Sequence, residues 1–322
     1  MVRPSQVRVA SVDIGTNTTR LLVADVVDGR IVEELHRESR ITRLGEGVDA
    51  RGRLLPAPIA RVRNTLADYR RTIESLAAER ALAIATSAVR DAENGEAFLG
   101  EVQWSYGFAT RLLSGDEEAL LTRRGVAAAR GLRPRTLVVD LGGGSTELVL
   151  DAWHMSLELG SVRQTERFLA SDPPAPAELA RCADDVRATL ETHVPTEMRD
   201  GAADGIAVAG TVTTLAALDL GLERYDRERV DGHRLTAAAV DAQRDRLAAL
   251  PLAERRLLPS IEPERAPVIV AGAVILAGVL DAFGLDGVDV SEHDILDGAA
   301  LAAAELPAPG EGAAPPGAYT CC

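Results

Sequence analysis

The alternation of apolar and polar residues near the start of the chain predicts an antiparallel sheet. Residues 7–14 and 18–27 are rich in β-branched side chains and predict two strands. Asp28-Gly29 is a common two-residue hairpin turn, so a third strand is expected over 30–39. The chain is therefore expected to open with three strands joined by tight turns.

Helical periodicity appears further along, where it alternates with short apolar runs. Between residues 56 and 79 apolar side chains recur at spacings of three and four, which predicts an amphipathic helix. The stretch 263–280 is apolar almost all round and predicts a long buried helix. Its Gly272 and Ala273 would let another element approach closely, as at an interdomain hinge. Other strands are predicted at 81–88, 108–115 and 153–158, and other helices at 161–170, 176–193 and after the glycine turn of 207–218.

The segment VVDLGGGSTELVL, residues 138–150, places three consecutive glycines between two apolar strands. Glycine lacks a Cβ, so the glycines can turn tightly and bring backbone N–H groups against a ligand, and such a concave row of amides binds phosphate. Asp140 and Glu147 flank the turn with carboxylate oxygens, the ligands that Mg²⁺ prefers. The segment therefore indicates phosphoryl chemistry, although a plain hairpin turn would also satisfy the pattern.

The same pattern occurs 127 residues earlier, where VDIGTNTTRLLV at 12–23 aligns without a gap on VDLGGGSTELVL at 139–150. The aligned pairs are Asp13 and Asp140, Gly15 and Gly142, Thr18 and Ser145, Thr19 and Thr146, and Leu21 and Leu148. Arg20 takes the place of Glu147. A repeat at so long a spacing is not a solenoid array. It predicts two related domains, whose turns would face each other across a cleft and bind neighbouring phosphates.

Composition narrows the functional classes. With 322 residues, 46% of them hydrophobic, the chain can form two cores, and a formal net charge of −14 disfavours a nucleic-acid or acidic-membrane partner. No apolar window is long enough for a membrane span, and the N-terminus lacks the apolar region of a signal peptide. The 3 cysteines predict no disulfide framework, and we expect a cytoplasmic protein.

All 35 basic residues are arginine, which excludes a Walker A lysine and leaves amides, hydroxyls, metal and arginine to contact phosphate.

Further segments accompany the two turns: ITRLGEGVD at 41–49, TSAVRDAEN at 86–94, LLSGDEEAL at 112–120, VAGTVTTLAAL at 208–218, VIVAGAVILAGVL at 268–280 and VSEHDILDGAAL at 290–301. In this order they resemble the exopolyphosphatase/guanosine pentaphosphate phosphohydrolase (Ppx/GppA) family from about residue 7 to 305. The resemblance implies an α/β fold with two actin-like (ribonuclease H-like) domains and a cleft between them. The expected limits are 1–130 for domain I, with a helix at about 294–305 returning to it, 131–293 for domain II, and 306–322 for a disordered tail.

The resemblance also implies roles for particular residues. Glu118 matches the family's catalytic base and Glu117 is its close rival, since acids at a helix start also serve as caps. Arg90 alone would be an ordinary surface residue, and the resemblance makes it a phosphate clamp. The predicted substrate-binding residues are Thr16, Asn17, Thr18, Arg20, Arg90, Gly142, Gly143, Gly144 and Ser145. The predicted ligands of Mg²⁺, or of another divalent cation, are Asp13, Asp140 and Glu147.

The expected reaction is hydrolysis of a terminal phosphoanhydride, with release of orthophosphate and no covalent intermediate. Inorganic polyphosphate is the expected substrate, with short chains preferred because the extra C-terminal helical domain of longer family members is missing. Guanosine pentaphosphate presents the same bond and is the alternative. An actin-like sugar or carboxylate kinase and a non-catalytic alarmone-binding protein are the competing classes. The resemblance and the apolar helix at 263–280 also suggest a homodimer.

Some polar clusters allow two interpretations. Arg37, Arg40 and Arg43 could face incoming phosphates or lie on a solvated strand edge. The glycine turn of VAGTVTTLAAL could bind an anion through the free amides of the helix that follows, or that helix could simply be capped. His293-Asp294 looks like half of a metal-dependent His-Asp site, but the 5 scattered histidines offer no second half, so a structural role is expected.

Overall fold

The computed structural model describes residues 6–307, and in this part of the chain no helix has both the length and the apolar character needed to span a membrane. The chain forms two compact units. The first contains the residues up to 131 and from 293 onward, and the second contains 132–292. Apart from its first two residues, the disordered tail predicted at 306–322 lies outside the described residues.

The strands of the described residues are β1 (Val7–Ile14), β2 (Thr18–Val27), β3 (Arg30–Ile41), β4 (Arg80–Ala85), β5 (Ala109–Leu112), β6 (Thr136–Leu141), β7 (Thr146–Leu150), β8 (Trp153–Leu157), β9 (Asp204–Val208), β10 (Arg234–Thr236) and β11 (Gly287–Val290). The helices are α1 (Val48–Arg51), α2 (Pro56–Ser75), α3 (Ser87–Arg90), α4 (Gly95–Tyr106), α5 (Gly115–Arg130), α6 (Ser161–Phe168), α7 (Pro176–His193), α8 (Thr196–Arg199), α9 (Gly210–Asp219), α10 (Arg227–Val230), α11 (Ala237–Ala249), α12 (Leu252–Arg255), α13 (Ile269–Ala282) and α14 (Ile295–Ala303).

The sheet of the first unit has the strand order β3-β2-β1-β4-β5. β1, β2 and β3 are antiparallel neighbours, as predicted, whereas β4 and β5 run parallel to β1. The predicted hairpin after β2 is confirmed, since Asp28 (φ 48°) and Gly29 (φ 72°) both have the positive φ of a type I′ turn. Because β1 and β4 are parallel, the turn after β1 and the helix after β4 lie at the same edge of the sheet. Ligand groups gather at this edge in α/β proteins.

β1 is buried on both faces, because successive side chains of a strand point to opposite sides of the sheet. Ala10, Val12 and Ile14 enter one core together with residues of α2. Val9 enters a second core with residues of α14, and the Ser11 hydroxyl donates a hydrogen bond to a backbone carbonyl of α14. The sheet of the first unit is therefore covered by α2 on one side and by α14 on the other.

The second unit repeats this arrangement. Its sheet has the order β10-β11-β9-β6-β7-β8, in which β6, β7 and β8 are antiparallel and β9 and β11 run parallel to β6. Leaving out β10, the strands have the same order and directions as those of the first unit, with β6 in the place of β1. The repeat seen in the two glycine turns thus extends to the whole sheet.

The predicted buried helix is α13, and its close approach to another element is confirmed. A Cβ on Gly272 would lie 2.4 Å from the Thr211 methyl carbon, so only glycine lets α9 pack this closely. Both helices belong to the second unit, so this contact does not serve the predicted interdomain hinge. The helix begins at Ile269 rather than at 263, because Pro267 lacks an N–H group and disfavours the helical conformation of the preceding residue.

Two strand ends also differ from the prediction. β4 ends at Ala85 because the N–H groups of Val89 and Arg90 donate to the Thr86 carbonyl, at 3.0 and 3.1 Å, and this turns the chain into α3. β5 ends at Leu112, two residues before the Ser114 side chain caps α5. In both places a helix start takes residues that the apolar pattern assigned to a strand.

Candidate active site

The first glycine turn joins β1 to β2 and is closed by a hydrogen bond of 2.9 Å from the Gly15 N–H to the Thr18 carbonyl. A Cβ on Gly15 would lie 3.0 Å from that carbonyl oxygen, so a larger residue would crowd the closure. Thr16 and Asn17 are buried within the turn. The Thr16 hydroxyl is hydrogen-bonded to the Ser87 hydroxyl at 2.7 Å, which connects the turn to the start of α3.

The loop after β3 fixes the carbonyl groups of this turn. The N–H groups of 42–43 donate to the Asn17 carbonyl at 3.0 and 2.9 Å, and the Gly45 N–H donates to the Thr16 carbonyl at 2.8 Å. In a trans peptide the N–H group points opposite to the C=O group of the same plane. The N–H groups of Asn17 and Thr18 therefore face away from the loop, as an anion-binding row of amides requires.

The second glycine turn joins β6 to β7 with the same closure. The Gly142 N–H donates to the Ser145 carbonyl at 3.0 Å, and a Cβ on Gly142 would lie 3.1 Å from that oxygen. The start of α6 packs directly on the turn, because a Cβ on Gly160 would lie 2.3 Å from the Gly143 carbonyl oxygen. The two turns are thus alike in backbone geometry as well as in sequence.

All three glycine carbonyls of the second turn accept hydrogen bonds from the start of α6. The donors are Ser161 N to Gly142 O at 3.0 Å, Val162 N to Gly143 O at 2.8 Å and Arg163 Nε to Gly144 O at 2.9 Å. By the same peptide geometry, the N–H groups of 143–145 point to the opposite side. The predicted substrate-binding residues Gly143, Gly144 and Ser145 therefore form a row of amide donors.

Asp13 and Arg20 face each other across β1 and β2, at the register position where the second turn has Asp140 and Glu147. Arg20 donates through Nη2 and Nε to Asp13 Oδ2, at 2.7 and 3.0 Å, and through Nη1 to Asp294, the N-cap of α14. Burial raises the pKa of Asp13, against the opposing effect of Arg20. The Oδ1 atom of Asp13 is buried and has no hydrogen-bond partner in the described part of the chain.

The residues predicted to bind a divalent cation lie in different units, Asp13 in the first and Asp140 and Glu147 in the second. Asp140 and Glu147 are buried at the turn, and Glu147 accepts a hydrogen bond of 2.7 Å from the Ser156 hydroxyl. Among residues 6–307 no group of three or more His, Cys, Asp or Glu could hold a metal ion. Mg²⁺ does not need one, since it takes one or two carboxylates and completes its shell with waters and substrate phosphates. Within the first unit, the buried side-chain oxygens of Asp13 (Oδ1) and Asn17 have no hydrogen-bond partner among the described residues and could accept from a hydrated cation.

Glu118 and Arg90, predicted as base and phosphate clamp, are in direct contact. Glu118 is buried in the first turn of α5, and Arg90 Nη1 donates to its Oε2 at 2.7 Å. The same nitrogen donates to the Leu113 carbonyl at 2.8 Å, which anchors the arginine to the backbone. Glu118 is therefore held in one orientation, as a carboxylate that positions a water molecule must be.

Glu117 has a different environment. It forms a capping box with Ser114, whose N–H donates to it at 2.9 Å, and it pairs with Arg111 at 2.9 Å. These contacts, the Ser114 N–H first, lower the pKa of Glu117. The geometry therefore assigns Glu117 to the helix cap, and the role of Glu118 as the base stays a prediction.

The three arginines around the loop after β3 divide into two kinds. Arg37 pairs with Asp297 and Glu34, and Arg40 pairs with Glu38 and Asp68, so both are held by carboxylates of the first unit. Of the two interpretations of these arginines, phosphate contact and a charged strand edge, the contacts of Arg37 and Arg40 favour the strand edge. Arg43 instead has its backbone N–H bound to the first turn.

The start of α9 and the His293-Asp294 pair each pack against nearby side chains of the protein. Arg265 packs against Gly210, the first residue of α9, where a Cβ would lie 2.0 Å from its guanidinium. His293 Nδ1 is 2.9 Å from Asp297 Oδ1, within α14 and the residues before it. This contact agrees with a structural role for His293.

Two residues of the site were not predicted. Ser87, which is hydrogen-bonded to Thr16, lies in the TSAVRDAEN segment, where only Arg90 was predicted to have a functional role. Asp294 was assigned a structural role, and its contact with Arg20 joins residues 274 positions apart. The sequence carried a signal for the helix cap at Asp294 but none for its partner.

A model of the Ppx/GppA phosphatase family matches residues 22–303. Exopolyphosphatase 2 of Mycobacterium tuberculosis is 40% identical over 314 residues, which covers 92% of this chain and 98% of that protein. The family model spans nearly all of the described residues.

Solved structures show the same architecture. The structure of an exopolyphosphatase-like protein superposes with a TM-score of 0.84 at 35% identity, covering 91% of this chain and 97% of that one. The Ppx-GppA enzyme of Aquifex aeolicus superposes with a TM-score of 0.77 at 32% identity, covering 92% of this chain and 100% of that one. These neighbours confirm the predicted fold class, α/β with two actin-like domains.

Proposed function

Because the chain belongs to the Ppx/GppA phosphatase family, we propose that it is an exopolyphosphatase, which hydrolyses the terminal phosphoanhydride bond of inorganic polyphosphate and releases orthophosphate. The observation that carries the proposal is the pair of glycine turns, each with its carbonyls fixed on one side and its N–H groups directed to the other. The resemblance to Exopolyphosphatase 2 of Mycobacterium tuberculosis supports the choice of substrate.

Binding of the anionic chain end is assigned to backbone amides. The N–H groups of 143–145 are the donors for the terminal phosphate, and Thr16, Asn17 and Thr18 are those for a further phosphate of the same chain. The turns are held by the contacts described above, so the donors need little rearrangement when negative charge develops in the transition state. Direct contact of Arg20 with phosphate stays a prediction.

Asp140 and Glu147, together with Asp13, are the residues that would hold Mg²⁺ or another divalent cation. When bound, the cation supplies positive charge that stabilises the bridging and terminal phosphate oxygens as the phosphoanhydride breaks. The role of the protein is to present deprotonated oxygens at fixed positions, and the contact between Glu147 and the Ser156 hydroxyl restrains one of them.

Glu118 orients a water molecule and accepts its proton as the water oxygen attacks the terminal phosphorus. The bond between that phosphorus and the bridging oxygen breaks, so the products are orthophosphate and a chain shorter by one phosphate. Arg90, anchored on the Leu113 carbonyl, holds Glu118, and its contact with the equatorial phosphate oxygens stays a prediction.

The test is phosphate release from polyphosphate with Mg²⁺, compared between wild type, Glu118→Gln and the matched control Glu117→Gln. We expect Glu118→Gln to lower kcat by about 10²- to 10⁴-fold, the usual contribution of a positioned base, with little change in KM. Glu117→Gln removes a neighbouring charge of the same helix turn and should lower stability but keep turnover. Equal kcat values for wild type and Glu118→Gln would contradict the assignment.

The same assay separates the competing functions. Guanosine pentaphosphate replaces polyphosphate in a parallel series, and the ratio of the two kcat/KM values identifies the preferred substrate. Phosphate release without an acceptor excludes a kinase, whereas tight nucleotide binding by calorimetry with no phosphate release would support the non-catalytic alternative. The homodimer and the cytoplasmic location stay predictions.

A further inference from the structure

Arg20 of the first turn forms buried ion pairs with Asp13 and Asp294. The aligned residue of the second turn is Glu147, which cannot form such pairs with an aspartate. We propose that Asp294 is a positioning residue, which acts through Arg20 to fix the Asp13 carboxylate and so sets the affinity of the site for its divalent cation. The role of Asp13 toward a cation rests on the proposed function, and the contacts from Asp294 to Asp13 are properties of the first unit alone.

The two oxygens of Asp13 are in different environments. Oδ2 accepts both hydrogen bonds from Arg20, whereas Oδ1 is buried and lacks a partner among the described residues. A carboxylate held by two donors on one oxygen cannot rotate without losing them. Arg20 therefore determines where Asp13 Oδ1 points.

Arg20 needs a restraint of its own, because an arginine side chain has many rotamers and loses entropy when it is fixed. Asp294 supplies it by accepting from Nη1, while its Oδ1 accepts from the Leu296 N–H at 2.9 Å. Asp294 thus uses one oxygen to cap α14 and the other to hold Arg20.

The backbone of Asp294 is a rigid support. A Cβ on Gly125 of α5 would lie 2.0 Å from the Asp294 carbonyl oxygen, so α5 and the start of α14 are in close contact there. The Ser11 hydroxyl of β1 donates to the Leu296 carbonyl at 2.8 Å. The cap of α14 is therefore fixed between the helix that carries Glu118 and the strand that carries Asp13.

Charge connects this geometry to cation binding. Arg20 is buried between two carboxylates, and those two charges keep its pKa well above the usual value although burial opposes this. Two carboxylates and one guanidinium leave a net negative charge at the turn. Replacing Asp294 by a neutral residue cancels that charge and leaves Asp13 paired with Arg20 alone, so Oδ1 should attract a cation less strongly.

The test compares Asp294→Asn with Asp297→Asn. Asparagine caps a helix as well as aspartate, so Asp294→Asn keeps the contact with the Leu296 N–H and removes only the negative charge that faces Arg20. Asp297 is the matched control, because it is also a buried carboxylate at the start of α14 but pairs with Arg37 rather than Arg20. Its side chain also accepts the Asp294 N–H at 3.3 Å, and the asparagine oxygen of Asp297→Asn can keep that hydrogen bond. Two quantities are measured: the Mg²⁺ concentration that half-saturates turnover, and the shift in thermal midpoint caused by MgCl₂ with orthophosphate present.

We expect Asp294→Asn to raise the half-saturating Mg²⁺ concentration about 10- to 100-fold, as for loss of other residues that orient metal ligands. Its thermal shift with MgCl₂ should shrink in parallel, and the KM for polyphosphate at saturating Mg²⁺ should change little. Asp297→Asn should lower the thermal midpoint but keep the wild-type Mg²⁺ dependence. If the two variants have the same Mg²⁺ dependence, the proposal is wrong.

A double variant identifies the route. If Asp294 acts through Arg20, then Arg20→Gln with Asp294→Asn should bind Mg²⁺ no more weakly than Arg20→Gln alone, whereas losses that add up would overturn the proposal. Asp294→Ser, another good cap without charge, replaces Asp294→Asn if that variant does not fold. Should the wild type release no phosphate, the proposed function fails, and the thermal shift with MgCl₂ still decides the role of Asp294.

Discussion

The two glycine turns have the same backbone and different side-chain chemistry. Each is closed by a hydrogen bond from its first glycine to the carbonyl three residues later, and in each the turn carbonyls are held by a neighbouring segment. The register position opposite the aspartate differs, since it carries Arg20 in the first turn and Glu147 in the second. The comparison separates two requirements of a phosphate site. Amide direction is common to both turns, and the charge beside it is specific to each.

This difference shows how a repeated unit can acquire distinct roles. In the first turn Arg20 compensates Asp13 and is itself compensated by Asp294, so that segment contains a closed ion-pair network. In the second turn two acids face each other at the same register, an arrangement that favours a divalent cation. We therefore expect substitutions of Arg20 or Glu147, the position at which the turns differ, to affect catalysis. Substitutions of the shared Gly15 and Gly142 should instead cause similar losses of stability.

Within the comparison of the two turns, the largest expected effect is that of Glu147→Gln. The amide keeps an oxygen that accepts the Ser156 hydrogen bond but loses the charge, and we expect kcat to fall about 10²- to 10³-fold, as for loss of one electrostatic contact in other active sites. Turnover measured across a range of Mg²⁺ concentrations checks it. Glu158→Gln is the control, because Glu158 is an exposed acid of the same unit. Wild-type turnover and Mg²⁺ dependence in Glu147→Gln would remove the functional distinction between the turns.

The second prediction is that low pH reduces the stability of the first unit through Asp297 of α14. Burial alone would raise the pKa of Asp297, but His293 and Arg37 together lower it below its usual value. A lowered folded-state pKa stabilises the fold above the unfolded-state value of about 3.9, and this contribution is lost as the pH falls through the folded-state pKa.

Asp297→Asn should therefore lower the free energy of unfolding by about 3 kcal/mol at pH 7, the usual cost of breaking a buried pair. The gap between variant and wild type should close as the pH falls below about 4. Denaturant unfolding between pH 3 and pH 7 measures it. A gap that is independent of pH would mean that the lost stability is not electrostatic.

The smallest effects are expected from the shared glycines. Gly15→Ala and Gly142→Ala place a Cβ 3.0 and 3.1 Å from the closing carbonyl oxygen, so each should cost about 1 to 2 kcal/mol of stability through overpacking. Thermal unfolding of both variants tests whether the turns are equivalent. Gly100→Ala, in an open position on α4, should not destabilise the protein. Clearly unequal losses at residues 15 and 142 would show that the two closures differ in strain.

Local patterns were sufficient for much of the fold. The strands around both turns were predicted because their β-branched runs and turn residues act within a few positions of each other, and the amphipathic period of α2 is equally local. The start of α13 was predicted too early because the apolar pattern does not show the effect of Pro267, whose backbone restriction keeps the helix from beginning before it. The strand at 81–88 was too long because an apolar run does not reveal where the chain turns into α3.

The site was only partly accessible from sequence. The alignment of the turns identifies Asp13, Asp140 and the glycines. Glu117 and Glu118 are adjacent and both acidic, and only the resemblance to the family favoured Glu118 from sequence. The structure adds that Glu118 is buried against Arg90, whereas Glu117 caps the helix. The partner of Arg20 could not be predicted at all. Asp294 reads as a helix cap, and a contact across 274 positions leaves no periodic signal in the chain.

The position of α14 has a consequence for biosynthesis. The central strand of the first unit is covered by a helix from the far end of the polypeptide, and about 160 residues of the second unit are translated in between. About 280 residues separate β1 from α14, so at ribosomal rates of 5–20 residues per second β1 waits roughly fifteen to sixty seconds for this cover. The second unit is continuous in sequence and can complete its core while still tethered to the ribosome. Nascent chains interrupted before residue 293 would therefore leave one apolar sheet face of the first unit open to chaperones and proteases.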